Sequence, residues 1–213
     1  MNRNSLVLYG ITDRACLPKG KTLAEAVVEA IEGGITMLQL REKELKGEEL
    51  LKLAGELQTI CRSRNIPFII NDDVELCRII DADGVHVGQE DMAPEEARKI
   101  IGPGKIVGVT AKTVEQAAIA CKNGADYLGS GALFGSSTKK DAIYMTKETF
   151  KEIIRSVDIP VVGIGGINEA NASELTGTGA AGIAVVSSIF GQEDIRGAAE
   201  RLKRTAKKIA GER

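Results

Sequence analysis

The 213-residue sequence has no tryptophan, a single histidine and only 3% aromatic residues. One histidine rules out a histidine-cluster metal centre. It also leaves a Ser-His-Asp triad one candidate, His86, with no nucleophile-elbow motif beside it. Scarce aromatics argue against a single-strand nucleic-acid binder, which stacks bases on rings. The net charge of −2 leaves no basic excess to neutralise a phosphate backbone. Cys16, Cys61, Cys77 and Cys121 lie far apart with no C-x-x-C pair, so reduced thiols are expected rather than a redox or metal motif. No apolar run approaches the roughly 18 residues of a membrane span. After Arg3 the run Leu6-Val7-Leu8 is too short for a signal-peptide core. These absences describe a soluble, cytoplasmic protein without a nucleic-acid or membrane partner.

What is present is glycine, 24 residues of it, in a chain that is 43% hydrophobic. So much glycine without low complexity implies tight turns or close backbone approach to a ligand. Short β-branched runs alternate with amphipathic ones. Strands are expected at Leu6–Thr12, Met37–Arg41, Pro67–Asn71, Gly84–Gly88, Ile106–Thr110, Tyr127–Gly131, Pro160–Ile164 and Gly182–Ser187. Helices are expected from Thr22 to Gly33 and at Gly47–Arg64, Val74–Ile80, Pro94–Ile101, Val114–Asn123, Lys147–Val157, Glu169–Thr176 and Ile195–Ile209. Thr22 with Glu25 reads as a capping box, and Pro94 sits where a first helical turn tolerates it.

Strict alternation implies parallel strands with crossover helices. An open sheet would gather polar residues at one switch point. Here almost every expected strand ends in polar or glycine-rich residues, which a closed barrel explains in one step by converging all strand ends on one mouth. The fold expected is a (βα)₈ TIM barrel forming one domain over residues 1–213, with aliphatic core layers. The basic residues of the last helix read as a solvated outer face.

Several strand ends carry chemistry. Gly165 and Gly166 follow the seventh strand, and Val186 and Ser187 close the eighth, where barrels often bind phosphate through backbone N–H groups. A plain tight turn is the structural alternative. Asn71-Asp72-Asp73 and Asp91 follow adjacent strands and could hold Mg²⁺ together with a substrate phosphate; the alternative is that Asp72 or Asp73 only caps a helix. In Gln39-Leu40-Arg41-Glu42-Lys43, alternation points Gln39, Arg41 and Lys43 to one face, suited to a polyanion with polar edges. Ser136-Ser137-Thr138-Lys139 follows the sixth strand and resembles a phosphate-gripping lid. His86, mid-strand, reads as a packed or supporting histidine. With no general base in evidence, positioning and charge neutralisation are the chemistry expected.

Taken in order, these landmarks resemble the thiamine-phosphate synthase family. They run from Tyr9-Gly10-Ile11-Thr12-Asp13 through Gly33 to Lys43, Asn71-Asp72, Ala82 to Asp91 and Gly124 to Tyr127, ending with Thr138-Lys139, Ile164 to Ile167 and Ala184 to Ser187. The resemblance implies a Mg²⁺-dependent transferase. It would join 4-amino-2-methyl-5-hydroxymethylpyrimidine diphosphate to 4-methyl-5-(2-phosphoethyl)thiazole, or its carboxylated form, releasing pyrophosphate by a dissociative path. By the same resemblance, Gln39, Leu40, Arg41, Glu42, Lys43 and Asn71 bind the pyrimidine diphosphate. Asp72 and Asp91 bind Mg²⁺, and Lys139 the pyrophosphate. Ser136, Ser137, Thr138, Gly165, Gly166, Val186 and Ser187 hold the thiazole phosphate. Thr110 stands where the family usually has serine and keeps the hydroxyl; with Arg41, Lys43 and Lys139 it makes up the implied catalytic set. A thiazole tautomerase of the same superfamily would not need the diphosphate-binding set, and a non-catalytic thiazole-phosphate-binding barrel would be expected to lose the metal carboxylates Asp72 and Asp91 first. The partners implied are small molecules, and a homo-oligomer is compatible with the reading.

Overall fold

The computed structural model describes residues 1–135 and 144–211. Eight parallel strands close into a ring: β1 (Leu8–Ile11), β2 (Met37–Leu40), β3 (Phe68–Asn71), β4 (Gly84–Val87), β5 (Ile106–Thr110), β6 (Tyr127–Ser130), β7 (Val161–Ile164) and β8 (Gly182–Val185), with β8 paired back to β1. Around them lie α1 (Leu23–Glu32), α2 (Gly47–Ser63), α3 (Val74–Ile79), α4 (Pro94–Ile101), α5 (Val114–Lys122), α6 (Lys147–Ser156), a one-turn α7 (Ser187–Phe190) and α8 (Ile195–Ala210). This is the TIM barrel expected from the alternation. No helix among the described residues is long and apolar enough to cross a membrane.

Local chemistry sets the helix starts. Thr22 accepts the Glu25 N–H while the Glu25 carboxylate accepts the Thr22 N–H at 2.8 Å, completing the expected capping box of α1. Pro94 occupies the first turn of α4.

Three expectations need correction. The helix anticipated at Glu169–Thr176 is only a 3₁₀ turn, Ala172–Leu175. Asparagine side chains take the backbone groups that a helix would use: Asn168 accepts the Ala170 N–H at 2.9 Å, and Asn171 donates to the Gly166 carbonyl at 2.9 Å. Gly177 and Gly179, both at positive φ, then turn the chain away. In turn, Ser187, expected to end a strand, instead begins α7.

The third correction concerns the core. Strand parity divides the buried side chains into an outer layer under the helices, including Leu38, Leu40, Val85, Val109 and Leu128, and an inner layer inside the barrel. The outer layer is aliphatic as expected, but the inner one contains Tyr9, Tyr127 and Met37, with Gln39 and His86 beside them. Glycine explains the difference. A Cβ on Gly108 would lie 2.2 Å from the Tyr127 ring, and one on Gly129 would lie 3.2 Å from His86 Cε1. Inward-facing glycines on β5 and β6 therefore vacate the volume that the large polar rings fill.

Candidate active site at the barrel mouth

The C-terminal ends of the strands open into a cavity of about 560 Å³, including its open top. Gln39 (β2), Asn71 (β3), His86 (β4) and Thr110 (β5) form its polar side, with Arg41 at the rim. Ile11, Val162, Ile164 and Ala184 form an apolar opposite wall. A closed ring of parallel strands brings these distant residues together.

The segment after β2 divides in function. Gln39 and Arg41 line the mouth, as alternation predicts. Leu40 faces the opposite way and is buried in the outer layer, so only its backbone is available to a ligand. Arg41 is held at the rim by Asp13, guanidinium to carboxylate 3.2 Å, while its N–H donates to Thr12 Oγ1 at 3.0 Å. Glu42 turns inward to the loop, with a 3.0 Å ion pair to Arg14. Burial pushes its carboxyl up, but the Glu44 N–H, Arg14 and the Leu45 N–H outweigh this and hold it below the usual range. Lys43 lies past the strand, where period-two alternation has ended. It is exposed and joins Arg41 and Arg14 around a smaller side chamber.

The acidic pair is sharper than the sequence alone allowed. Asp73 accepts the Leu76 N–H at 2.8 Å and caps α3, which frees its neighbour. Asp72 adopts φ +63° and receives the Asn71 side-chain amide at 2.6 Å. Asp91 accepts the Gly88 N–H at 2.7 Å, which turns its loop back toward the β3 end. The Asp72 carboxyl is raised to about 6 by burial, by the charge of Asp91 and by direct contact with it, against the lowering effects of Asn71 and Arg41. Two carboxylates crowded in this way suit a divalent cation, which would relieve their repulsion. Among the described residues no third histidine, cysteine or carboxylate joins them, so any ion there would draw its remaining ligands from water or substrate.

On the far side, Gly165 and Gly166 take φ of +92° and +66°. Their lack of side chains also serves packing, since a Cβ on Gly166 would lie 2.3 Å from the Phe134 carbonyl oxygen. Phe134 N–H donates to the Gly165 carbonyl at 3.0 Å, so the segment leaving β6 is tied to this turn. Ser188 Oγ donates to the Ile167 carbonyl at 2.5 Å and fastens the start of α7 alongside. Val186 lines the mouth and Ser187 is exposed at the first position of α7. The lid residues Ser136, Ser137, Thr138 and Lys139 lie outside the described residues.

Sequence reasoning missed the floor of the cavity. Gln39 Nε2 donates to Tyr9 Oη at 2.6 Å, and Tyr9 Oη lies 2.8 Å from Tyr127 Oη. Tyr127 Oη is 2.9 Å from His86 Nδ1, and His86 Nε2 is 3.0 Å from Thr110 Oγ1. Gln89 donates to the Thr110 carbonyl at 2.5 Å and steadies the end of β5. Inward parity of Tyr9, Gln39, His86, Thr110 and Tyr127 is the signal that could have found the chain.

Residues 8–189 match the family described as thiamine monophosphate synthase. The chain belongs to this family. It is 52% identical over 195 residues to the thiamine-phosphate synthase of Ruminiclostridium cellulolyticum, covering 92% of both chains. It is 43% identical over 209 residues to that of Pyrococcus furiosus, covering 98% of this chain and 99% of the relative. The solved structure of thiamine phosphate pyrophosphorylase from Pyrococcus furiosus superposes with a TM-score of 0.88 at 42% identity, over 97% of this chain and 98% of that one. Membership makes the chain an enzyme of the transferase class acting in thiamine biosynthesis.

Proposed function

We propose that this thiamine-phosphate synthase fold joins 4-amino-2-methyl-5-hydroxymethylpyrimidine diphosphate to the phosphorylated thiazole by a dissociative, Mg²⁺-dependent substitution. The observation that carries the reading is the adjacency of the Gln39–Asn71–Thr110 polar side to the Asp72/Asp91 pair at one barrel mouth. Gln39, Asn71 and Thr110 would bind the pyrimidine. Arg41 and Lys43, with Lys139 by family resemblance, would hold the diphosphate. Gly165, Gly166, Val186 and Ser187, with Ser136 to Thr138 by the same resemblance, would seat the thiazole phosphate.

The C–O bond between the pyrimidine methylene and the diphosphate breaks first, and its electron pair leaves with the diphosphate. Mg²⁺ held by Asp72 and Asp91 would supply charge neutralisation to that leaving group. Arg41, anchored by Asp13, presents its charge at the rim without further reorganisation. The apolar wall of Ile11, Val162, Ile164 and Ala184 keeps water from the pyrimidine-methyl cation. The thiazole nitrogen lone pair then forms the new C–N bond, and no side-chain base is needed because the nitrogen carries no proton.

The test is direct. Purified protein with both phosphorylated substrates and Mg²⁺ should form thiamine phosphate and pyrophosphate in equal amounts. No product above the enzyme-free control would overturn the reading.

A further inference from the structure

The buried chain Gln39–Tyr9–Tyr127–His86–Thr110 has four contacts, each at 3.0 Å or less. Tyr9, Tyr127 and His86 are its interior members, and all three are buried. Both ring nitrogens of the buried His86 meet hydroxyls, Tyr127 Oη and Thr110 Oγ1, and neither meets a carboxylate that would hold a proton on the ring, so the imidazole is the neutral form. A neutral imidazole has one N–H, and each phenol has one O–H. Three interior hydrogens must therefore serve four contacts. The fourth hydrogen comes from one end only: either Gln39 donates inward and Thr110 accepts, or Thr110 donates inward and Gln39 accepts. Any other arrangement leaves a buried hydroxyl hydrogen or ring nitrogen unpaired, a loss that buried polar groups in folded proteins avoid.

Gln39 Nε2 donates to Tyr9. The polarity then runs in one direction: Tyr9 donates to Tyr127, Tyr127 to His86 Nδ1, and His86 Nε2–H to Thr110. The two ends of the chain both line the cavity. With Nε2 fixed on Tyr9, Gln39 keeps its Oε1 as an acceptor beside one remaining amide hydrogen, and Thr110, already accepting from His86, keeps its hydroxyl hydrogen to donate.

We propose that Tyr9, Tyr127 and His86 are positioning residues that couple the polarity of Gln39 to that of Thr110, so that the Gln39 Oε1 is kept as an acceptor and the Thr110 hydroxyl as a donor at the mouth. The inference rests on the pyrimidine-binding reading above and deepens it to a specificity device. A ring bearing an exocyclic amine and an unprotonated ring nitrogen supplies a donor for Gln39 and an acceptor for Thr110. The 4-oxo analogue, with a carbonyl and a ring N–H in those places, inverts both requirements. Pairing it at the same two positions, Gln39 Oε1 and the Thr110 hydroxyl hydrogen, would require reversal of the whole chain, including the imidazole tautomer.

Two measurements test this. His86 is the only histidine, so ¹⁵N-histidine labelling reads one imidazole without assignment and without substrate. Wild-type protein should show a single neutral tautomer protonated at Nε2, and Tyr127→Phe should lose that single state. In turnover, the kcat/KM preference for the 4-amino over the 4-oxo pyrimidine diphosphate should fall at least about tenfold in Tyr127→Phe and in Tyr9→Phe, the worth of about one hydrogen bond. A merely structural role would lower stability and leave that ratio unchanged. A wild-type His86 protonated at Nδ1, or an unchanged preference in both variants, overturns the proposal. If the wild type forms no thiamine phosphate, the functional reading fails alone, and the tautomer spectra still decide the chain.

Discussion

The carboxyl of Asp72 meets that of Asp91 across the ends of β3 and β4, and burial together with this encounter raises Asp72 to about 6. A raised folded-state value means that this group contributes stability at low pH, below the unfolded carboxylate value of about 3.9. That contribution is lost as pH rises through about 6, when the two carboxylates repel. A divalent cation reverses the balance because it binds the deprotonated pair. The rise in Tm produced by Mg²⁺ should therefore be larger at pH 7.5 than at pH 5. Equal shifts at both values in a thermal melt would remove the pair as the binding site.

Asp72 and Asp73 are neighbours with different tasks, which mutation should separate. Asp91→Ala should lose Mg²⁺-dependent turnover by at least about 100-fold, beyond what loss of an outer-shell metal partner costs, while circular dichroism stays that of the parent. Asp73→Ala removes only the cap on Leu76 N–H. It should cost about 1 kcal/mol in urea denaturation and leave turnover near parental. Parental activity in Asp91→Ala would refute the metal assignment.

The order of elements was legible because period-two and helical patterns alternate so regularly, and because Thr22–Glu25 and Pro94 mark helix starts by local chemistry alone. Gln39, Arg41, Asn71 and Thr110 were legible as mouth residues because a barrel gathers every strand end. What escaped depended on contacts distant in sequence. Tyr9 and Tyr127 are 118 residues apart, and nothing near either announces the other. The glycines that make room for the rings, Gly108 and Gly129, look in sequence like any strand glycine. Side-chain competition by Asn168 and Asn171 likewise removed a helix that simple periodicity allowed.

The opposite end of the barrel should tolerate no such functional dissection, because its polar residues hold strands in place. Asp126, just before β6, accepts the Val107 N–H at 2.8 Å and Arg98 at 2.6 Å. Arg98 also donates to the Gly124 carbonyl at 2.9 Å. Asp126→Ala leaves the Val107 N–H without its carboxylate partner and should destabilise by about 2–3 kcal/mol. Its kcat/KM at 25 °C should stay within about twofold of the parent, since polar groups at the N-terminal face of a barrel lie away from the mouth and serve stability. A large activity loss with unchanged urea midpoint would contradict this division.

Buried thiols give the fold an alkaline limit. Cys61 and Cys77 are free and buried. Burial, followed by the charge of Asp83, pushes Cys61 up to about 12. Burial also brings Cys77 to about 12, with Lys105 pulling down and the aspartates Asp81, Asp83 and Asp73 pushing up. In the unfolded chain each thiol ionises near pH 8.5. The stability from keeping them neutral is therefore complete below about 8.5 and lost as pH rises from there toward about 12. The urea midpoint should fall between pH 8 and pH 10.5, and the fall should shrink in the Cys61→Ala, Cys77→Ala double variant even though that variant starts less stable. Native protein at pH 8 should also leave both thiols unlabelled by iodoacetamide until urea is added. Equal alkaline losses in the two proteins, or rapid native labelling at Cys61, would show that the thiols do not set this limit.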